Sequence, residues 1–572
     1  IYYGGNFLFK STDRGDSWTK ASPDLTTGVD RNKLPIMGKV PDRDTLSRHD
    51  GVQHFPCITT ISESPRSPQV IWVGTDDGNL QVTRDGGRTW KNVADRVPGV
   101  PKGTYVSRVE ASHHAEGTAY VTFDGHRSDD FEIYVFMTTD YGDTWKNIGA
   151  GLPRNRGVAN VIREHHRNPD LLFVGTEYGA YASFDRGARW VKIKMNLPTV
   201  PVDDILIHPR DNDLIFGTHG RSIWVLDDIT PLEQLNAAVL DADLHLFDIR
   251  PAIRWRLYNH KASTGHKIYI SPNAPNGALV HYYLKAALPE NERVRITILD
   301  RQGREVRHIF CGGPGTPPCR AEAGINRAVW DFRQDSPVPP VPGAPPTAGP
   351  RVDPGEYTVR VDVVPAPQAG SSTDDGDSAG QQPGRWQSSK PLRVEEDPRV
   401  VLSDADRAAR RSAIDRLLPL SAAATQSMRD LAGLRAGLVA ARESWRQAGA
   451  ARVPDNVRKA AEDLLAKIDE VYPAFGTPPG EARPLGAAGP PVVERPTPLP
   501  QRVNALLGAL EGWSAAPTAW QLGEIQALEG AVKRAGDRVR RLIDEDLQRL
   551  NRMMRDAGIP HISGRAPRAP GR

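Results

Sequence analysis

A short turn motif that ends in tryptophan occurs four times in the first 200 residues of this 572-residue chain. Its pattern is Ser or Thr, any residue, Asp, any residue, Gly, two further residues and Trp. The copies are Ser11–Trp18, Thr83–Trp90, Thr138–Trp145 and Ser183–Trp190. Recurrence of one unit at intervals of tens of residues is typical of a repeat architecture such as a propeller or a solenoid.

Each residue type in the motif suits the corner of a β-hairpin. Asp accepts hydrogen bonds from nearby backbone N–H groups, Ser or Thr adds a hydroxyl, and Gly adopts the left-handed conformation that other residues resist. The Trp ring can then be buried beneath the corner. We therefore expect a structural role for the aspartates, glycines and tryptophans of the motif: Asp13, Gly15, Trp18, Asp85, Gly87, Trp90, Asp140, Gly142, Trp145, Asp185, Gly187 and Trp190.

The motif resembles the Asp-box, or BNR repeat, of sialidase-like and sortilin-like β-propellers. Three further segments are similar to a bacterial group of repeat proteins that carries the label glycosyl hydrolase: Val73–Gly78, Gly175–Gly179 and Thr218–Asp228. The resemblance extends over nearly the whole chain. It implies a sortilin-like Asp-box propeller, followed by a FlgD-like Ig module and a helical C-terminal region.

Strand patterns accompany the motif in groups of four. In one complete group, Cys57–Ser62 and Val70–Gly74 precede a third strand that runs into the motif, and a fourth strand follows the Trp. This is the four-stranded blade of a propeller. Residues 1–235 are thus expected to form a partial propeller of about four blades, completed by N-terminal blades of the same protein that this sequence does not contain.

The later patterns predict a multidomain, mainly β protein. Residues 240–400 alternate at strand period and are expected to form an Ig-like, FlgD-like β-sandwich. Its insertions, 335–352 and 365–386, are rich in Pro, Gly and Ser and are expected to be extended or disordered. Residues 401–560 change to helical period and predict an α-helical bundle, and 561–572 predict a disordered tail.

Bulk composition excludes some classes of partner. The 73 Lys and Arg residues nearly balance the 70 Asp and Glu residues, so composition does not favour a nucleic-acid partner. No run of 18 apolar residues is present, so no membrane span is expected. The sequence has no initiator Met, so we interpret it as a fragment whose signal peptide cannot be judged.

Three cysteines bear on localisation. Cys311 and Cys319 bracket a Gly/Pro loop and could form a small disulfide, leaving Cys57 unpaired; two reduced thiols are the alternative. A disulfide would fit an oxidising compartment, and we expect an extracellular or periplasmic protein.

Polar residues concentrate in the turns between the second and third strands, at the opposite end of the blades from the Asp-boxes. Glycoside hydrolysis needs two carboxyl groups at defined separation, and the catalytic candidates are Asp124, Asp129, Asp130 and Glu177. The ligand-binding candidates are Asp77, His126, Arg127, Tyr178, His219 and Arg221. The alternative is that Asp and Gly simply form these turns while His and Arg are solvated.

Other site chemistries find little support. A sialidase needs an arginine triad, but Arg108 and Arg163 do not occupy matching strand registers. The pairs His113-His114 and His165-His166 are adjacent, and neighbouring side chains on a strand point to opposite faces. No metal site and no cofactor is therefore predicted.

Two functions remain open. The first is an exported propeller scaffold that binds a protein or glycan ligand without catalysis in this fragment. The alternative is a glycoside hydrolase that acts on a polysaccharide through paired carboxylates on the propeller face. A pocket holding two carboxyls, one with a raised pKa, would favour the enzyme, and a face of paired carboxylates would favour binding.

Overall fold

A computed structural model describes residues 1–46, 48, 54–154, 157–257, 271–313, 319–338, 348–366, 384–447, 453–476 and 496–563. The chain divides into two compact units, Ile1–Asp248 and Ile249–Arg572. The fold is mainly β, built from small antiparallel sheets with several helices.

Five small antiparallel sheets form the first unit. The second, third and fourth have four strands in chain order, whereas the first and fifth have three. The first two sheets contain β1 (Tyr2–Gly4), β2 (Leu8–Lys10) and β3 (Thr19–Lys20), then β4 (Ile58–Ser64), β5 (Ser67–Thr75), β6 (Leu80–Thr83) and β7 (Lys91–Asn92). The other three contain β8 (Tyr105–Ala111), β9 (Ala119–Asp124), β10 (Tyr134–Thr138) and β11 (Lys146–Asn147), then β12 (Ala159–Glu164), β13 (Leu172–Thr176), β14 (Gly179–Ser183) and β15 (Val191–Lys192), and finally β16 (Val202–Ile207), β17 (Leu214–Thr218) and β18 (Ile223–Leu226).

Successive sheets stack through their first strands. The first strands of the second to fifth sheets are bulged near their starts, and in the second and third sheets the extra residue reaches the next sheet. Thr59 Oγ1 donates to the carbonyl of Val106 at 2.8 Å, and Ser107 Oγ donates to the carbonyl of Ala159 at 2.8 Å. Because equivalent atoms are joined from sheet to sheet, the first strands lie side by side in the same direction. The arrangement is propeller-like.

The four turn motifs form the corner between the last two strands of the first four sheets. In the second copy, the Asp85 carboxylate accepts from the N–H and the hydroxyl of Thr89, at 2.9 and 2.6 Å. The Thr83 hydroxyl donates to Asp85 at 2.8 Å and accepts from the N–H of Gly87 at 3.0 Å. Equivalent bonds hold the corners at Asp13, Asp140 and Asp185. The motif aspartate and hydroxyl thus hold each corner through bonds inside the motif.

The motif glycines also approach the preceding sheet. Gly142 has a φ of +82°, and a Cβ there would lie 2.9 Å from Cγ2 of Val93, just after the last strand of the second sheet. Gly187 has a φ of +84°, and its Cβ would lie 2.8 Å from that of Ile148. Any larger residue would therefore be strained in conformation and would collide with the neighbouring sheet.

The motif tryptophans fill the space between sheets where a sheet precedes them. Trp145 is 9% exposed and its ring centroid lies 6.0 Å from that of Trp72 in the second sheet. Trp90 and Trp190 pack against the cores that join their own sheets to the preceding ones. Trp18 departs from the expected burial and is 43% exposed, because among the described residues no sheet precedes the first.

The fifth sheet lacks the corner motif. Leu226 stands at the position of the motif hydroxyl, and the chain turns into a helix instead of a fourth strand. The Asp228 carboxylate lies at the start of this helix and accepts from the N–H and hydroxyl of Thr230, at 3.2 and 2.6 Å. The remaining elements of the unit are α1 (Thr230–Gln234), α2 (Ala237–Asp241) and β19 (Leu244–Leu246).

Two layers of strands begin the second unit. β21 (Ala278–Leu284) pairs with β24 (Gly324–Trp330). A five-stranded sheet has the order β20-β26-β25-β22-β23 and contains β20 (Ala252–Arg254), β22 (Glu292–Leu299), β23 (Glu305–Cys311), β25 (Gly355–Pro365) and β26 (Arg385–Glu396). Trp330 and Tyr357 join the layers edge to face, with centroids 5.4 Å apart.

Helices follow the strands and share one apolar core. Leu431, Leu434 and Leu438, which the sequence pattern assigns to one face, are all 0% exposed. The helices are α3 (Asp404–Gln447), α4 (Asp455–Val471), α5 (Leu499–Gly512), α6 (Ala519–Arg541) and α7 (Gln548–Asp556). None of the described helices is long and apolar enough to cross a membrane.

Cys311 and Cys319 are joined by a disulfide, and Cys57 is free. Much of the two predicted insertions and of the predicted tail, namely 339–347, 367–383 and 564–572, lies outside the described residues.

Replacement of Trp145 by Ala is expected to destabilise the first unit by about 3–5 kcal/mol, because a large ring leaves a cavity between two sheets. Differential scanning calorimetry of the full chain measures the effect as a lower transition temperature. Trp18→Ala is the matched control, and its loss should be below about 1 kcal/mol since the ring is already exposed. Equal losses for the two variants would contradict the inter-sheet role of the motif tryptophan.

Candidate functional site

The turns between the second and third strands emerge at one end of the stacked sheets. This follows from the common direction of the first strands, and it places the corners formed by the four turn motifs at the other end. We call the end that carries the turns between the second and third strands the rim face, and we define it by the turns 76–79, 125–133, 177–178 and 219–222. The candidate site residues of the sequence lie on it or at its edge.

Two of the catalytic candidates are engaged in holding the turn of the third sheet. Asp124 Oδ1 accepts from the N–H of His126 at 2.9 Å and lies 2.6 Å from Nδ1 of the same ring. Asp130 accepts from the N–H of Glu132 at 3.1 Å and from the hydroxyl of Tyr134 at 2.9 Å. Burial and this hydrogen bond raise the pKa of Tyr134 to about 12. Both carboxylates therefore have a structural task.

Asp77 is also engaged within the protein and is only 8% exposed. Its carboxylate accepts from the N–H and hydroxyl of Thr27, at 2.7 and 2.6 Å, and from the hydroxyl of Thr75 at 2.5 Å. Its neighbour Asp76 accepts from the N–H of Cys57 at 2.7 Å, and burial raises the pKa of Asp76. These contacts tie the preceding loop to the second sheet.

Asp129 and Glu177 differ from the other carboxylates of the rim face. Neither side chain accepts a hydrogen bond from the residues that the structure describes. Asp129 is exposed and has a left-handed backbone, with φ of 61°. Glu177 lies on the neighbouring turn, half-buried against Gly157, where a Cβ would approach its Oε2 to 2.4 Å. Within the described part of the chain, these two carboxylates on adjacent turns therefore have no hydrogen-bond donor.

Exposed aromatic rings accompany these open carboxylates. Tyr178 is 48% exposed and Phe131 is 42% exposed. The sequence analysis did not identify Phe131 as a candidate. Its position between Asp130 and Glu132 in a polar turn could have indicated an exposed aromatic ring. Arg127 lies with its guanidinium carbon 5.2 Å from the ring centroid of Tyr105.

The fifth sheet contributes two further exposed groups to the rim face. The His219 side chain is 79% exposed, and its Nδ1 lies 3.4 Å from Oδ2 of Asp203. Arg221 is exposed, and its carbonyl accepts from the indole N–H of Trp224 at 3.0 Å.

The carboxylates of the four turn motifs have the opposite electrostatic character from a general acid. Hydrogen bonds from Thr89 lower the pKa of Asp85 to about 2, and those from Thr144 lower the pKa of Asp140 to about 2. The pKa values of Asp13 and Asp185 are lowered as well. These groups remain ionised and fixed at the far end from the rim face.

A charged cluster on the first strands links three sheets. Asp204 Oδ1 of the fifth sheet is contacted by Nη2 of Arg108 at 2.7 Å and by Nη2 of Arg163 at 3.1 Å. Nη1 of Arg163 binds Oε2 of Glu110 at 2.6 Å. We call these four residues the first-strand cluster. The two arginines meet despite their different registers, because Arg108 reaches past the fourth sheet to the fifth.

The first-strand cluster neutralises its own charge. Two guanidinium groups face two carboxylates, so an anionic substrate is not needed to balance them. Burial raises the pKa of Glu110, and burial together with Arg163 lowers the pKa of Arg108. An acidic sugar, the substrate of a sialidase, is therefore not favoured by this arrangement.

His165 illustrates why the histidine pairs are structural. It is 0% exposed, and its Nδ1 accepts from the N–H groups of Arg167 and Asn168, each at 3.2 Å. Its Nε2 lies 3.1 Å from Oδ1 of Asn212 and donates to it. This pattern needs the neutral ring, and burial lowers the pKa of His165. Within the described part of the chain, no group of His, Cys, Asp and Glu side chains is arranged to hold a metal ion.

Two cavities, of about 550 and 400 Å³, lie in the second unit. The larger is lined by charged residues near Glu356 and Arg393, and the smaller by helix residues near Arg502 and Arg534. No residue of the rim face lines either of them.

Sequence comparison finds relatives among the xyloglucanases. Xyloglucanase Xgh74A of Acetivibrio thermocellus is 25% identical over 290 residues, which cover 40% of this chain and 32% of the relative. The xyloglucanase of Hypocrea jecorina is 30% identical over 160 residues, 26% of this chain and 17% of the relative. The chain thus spans about a third or less of the length of these relatives. No protein-family model matches it.

Comparison of structures finds only distant likeness. The GH74 xyloglucanase from Xanthomonas campestris has a TM-score of 0.30 at 15% identity, covering 64% of this chain and 60% of that one. YCF48 bound to D1 peptide has a TM-score of 0.25 at 13% identity, covering 40% and 60%. Scores at this level carry no argument about function.

The stability of the first unit is expected to fall as the pH drops below about 6.5, the ordinary pKa of histidine. Below this pH His165 is protonated in the unfolded chain but stays neutral in the native protein, because burial lowers its pKa. The free energy of unfolding therefore falls by up to about 1.4 kcal/mol per pH unit for this group. His165→Gln removes the titration, and denaturation between pH 7 and 5 should show a shallower slope. An unchanged slope in the variant would contradict the assignment.

Proposed function

We propose that this chain belongs to an exported protein that binds and hydrolyses a neutral polysaccharide, and that the rim face is its glycan-binding surface. The observation that carries the proposal is the exposure of Phe131 and Tyr178 beside polar groups on adjacent turns. The C–H faces of a sugar ring are slightly positive and stack on the negative face of an aromatic ring. Polar neighbours such as His126 can then bind the hydroxyl groups.

The substrate class has two supports. The relatives found by sequence are xyloglucanases, which favours the hydrolase hypothesis over a non-catalytic scaffold. The self-neutralised first-strand cluster favours an uncharged sugar. Because the match covers only part of each relative, hydrolysis is proposed for the whole protein to which the chain belongs.

For catalysis by this chain, we propose that Asp129 and Glu177 supply the two carboxyl groups that a glycosidase needs. Glycosidases use a pair of carboxyl groups, about 5–5.5 Å apart for retention or about 6.5–9.5 Å apart for inversion. Asp124 and Asp130 are bound by donors of their own turn, and Asp77 is bound by three. Asp129 and Glu177 are the candidates whose oxygens stay open to a substrate and a water molecule.

A non-catalytic scaffold for a protein or glycan is the second candidate function. The observation in its favour is that Asp77, Asp124 and Asp130 all act as turn supports. In that case the rim face binds through Tyr178, His219 and Arg221 without turnover.

The proposed protein has three domains in this chain, which follow the sequence patterns. Residues 1–235 are the Asp-box, sortilin-like part of a propeller that further blades of the same protein complete. Residues 240–400 are a FlgD-like Ig module, and 401–560 are a helical bundle. Export to an extracellular or periplasmic compartment is supported by the disulfide between Cys311 and Cys319.

Replacement of both Phe131 and Tyr178 by Ala is expected to weaken binding of soluble xyloglucan about tenfold, a loss of roughly 1.4 kcal/mol. Affinity electrophoresis of the full chain in gels that contain the polysaccharide measures the change. Tyr3→Ala is the matched control, since Tyr3 is 66% exposed but lies on the first sheet, outside the rim face. Equal retardation of the double variant and the wild type would remove the rim face as the binding surface.

Glu177→Gln and Asp129→Asn are each expected to lower turnover of xyloglucan and aryl glycosides at least about a hundredfold, because each removes an acid, base or nucleophile. Asp170→Asn, an exposed carboxylate paired with Arg186, controls for loss of surface charge. Turnover that survives in both variants would reject these two residues. Binding without turnover by the whole protein to which the chain belongs would select the scaffold function.

A further inference from the structure

Two tryptophans of the second unit are almost fully exposed. Trp513 is 74% exposed and Trp520 is 70% exposed, at the two ends of the connection between α5 and α6. Leu522 nearby is 41% exposed. Tryptophan is usually well buried, and large apolar side chains left in water can mark a binding surface. The connection is therefore a candidate binding surface.

The first end of this connection is firmly held. The carbonyl of Glu511, at the end of α5, accepts from Nη1 of Arg256 at 2.8 Å, and the carbonyl of Leu510 accepts from Nε of Arg410 at 2.7 Å. Cations at a helix C-terminus are favourable because they complement the helix dipole. Trp513 follows two residues later, so its backbone starts from a fixed point.

The Glu511 side chain adds to this anchor. One carboxylate oxygen accepts from the N–H of Arg351 at 2.8 Å, and the other lies 3.2 Å from Nη1 of Arg333. The end of α5 is thus tied to the strand layers of the same unit by both backbone and side chain.

The second end of the connection is held by a helix cap. The Thr518 side chain accepts from the N–H of Gln521 at 3.2 Å, and the Gln521 side chain accepts from the N–H of Thr518 at 2.9 Å. Trp520 lies between these two residues, in the first turn of α6. A reciprocal cap of this kind fixes the backbone of the first turn. The indole is thus presented from an ordered helix start.

The connection carries no charge. Residues 512–523 contain no Asp, Glu, Lys or Arg, in a chain in which such residues make up 25%. Anionic membranes, nucleic acids and acidic polysaccharides are bound through cationic side chains, and residues 512–523 contain none. The arginine side chains at the first end of the connection are engaged by the backbone carbonyls of Leu510 and Glu511 and by the Glu511 carboxylate. Exposed indoles on an uncharged stretch, with hydroxyl and amide groups at Ser514, Thr518 and Gln521, suit an uncharged ligand that has both C–H faces and hydroxyl groups.

We infer that Trp513 and Trp520 form a glycan-binding platform in the second unit, separate from the rim face, which stacks the sugar rings of a neutral polysaccharide. The ligand class rests on the proposed function, whereas the platform itself rests on exposure, anchoring and neutrality. Indole rings are large and rigid, so stacking loses little conformational entropy, and the fixed backbone at both ends reduces the cost of ordering further. The platform binds the polysaccharide and takes no part in catalysis.

The test compares the full-length chain with Trp513→Ala/Trp520→Ala by affinity electrophoresis in gels containing xyloglucan. The double variant should bind at least tenfold more weakly, and Trp513→Phe/Trp520→Phe should stay within about threefold of the wild type because an aromatic face remains. Trp386→Ala is the matched control: this tryptophan is 37% exposed, but Arg385 covers its ring with the guanidinium carbon 3.7 Å from the centroid. Its binding should equal that of the wild type.

A second measurement separates this inference from the proposed hydrolysis. Turnover of a small aryl glycoside does not need a polymer platform, so it should be the same in wild type and Trp513→Ala/Trp520→Ala. Loss of xyloglucan binding in the double variant supports the platform even if no turnover is found in any form. Unchanged xyloglucan binding overturns the platform even if the wild type hydrolyses glycosides.

The nature of the ligand is tested in parallel with polygalacturonate and with phosphatidylcholine vesicles. Neither should bind in a manner that depends on the two tryptophans. Tryptophan-dependent binding of vesicles or of the acidic polymer, without binding of xyloglucan, overturns the inference.

Discussion

The close approach of the second, third and fourth motif corners to the sheet before them is the contact on which the first unit depends. The corner can approach because the motif glycine has no Cβ to meet residues such as Val93 or Ile148. The aspartate makes the corner rigid by accepting from the N–H and side chain of the residue before the tryptophan, and the indole fills the remaining space. Repetition of this contact stacks the sheets in one direction. The rim face at the opposite end is a geometric consequence of that stacking.

Charge in the first unit is balanced internally to a large degree. Asp204 and Glu110 are occupied by Arg108 and Arg163, and Glu164 is bound by the hydroxyls of Ser112 and Tyr120 and by the N–H of His113. Carboxylates at most turns support the local backbone. The groups left open on the rim face are therefore aromatic rings, a histidine, exposed arginines and a few carboxylates. An exposed indole pair lies on an uncharged connection of the second unit, and under the proposed function both surfaces bind neutral sugars.

Sequence reasoning succeeded where the determining interactions are local. The hydrogen bonds of the motif aspartate and hydroxyl connect residues at most four positions apart, and the apolar face of Leu431, Leu434 and Leu438 follows from helical period alone. It could not rank the rim carboxylates, because Asp129 and Asp130 are adjacent in sequence and differ in the contacts that Asp130 makes with Glu132 and Tyr134. It also passed over Phe131, Trp513 and Trp520, since exposure is set by what the rest of the chain leaves uncovered.

The amino-acid sequence by itself determined the corners, the strands that flank them, the helical faces and the near-neutral charge, since each depends on residues close together in the chain. The tertiary structure decided which side chains meet across sheets and which remain open. Arg108 and Asp204 are 96 residues apart and join only because the sheets stack side by side. Glu511 fixes the loop of Trp513 only because distant arginines converge on it. Such contacts depend on the packing of whole elements, and no short stretch of sequence contains that information.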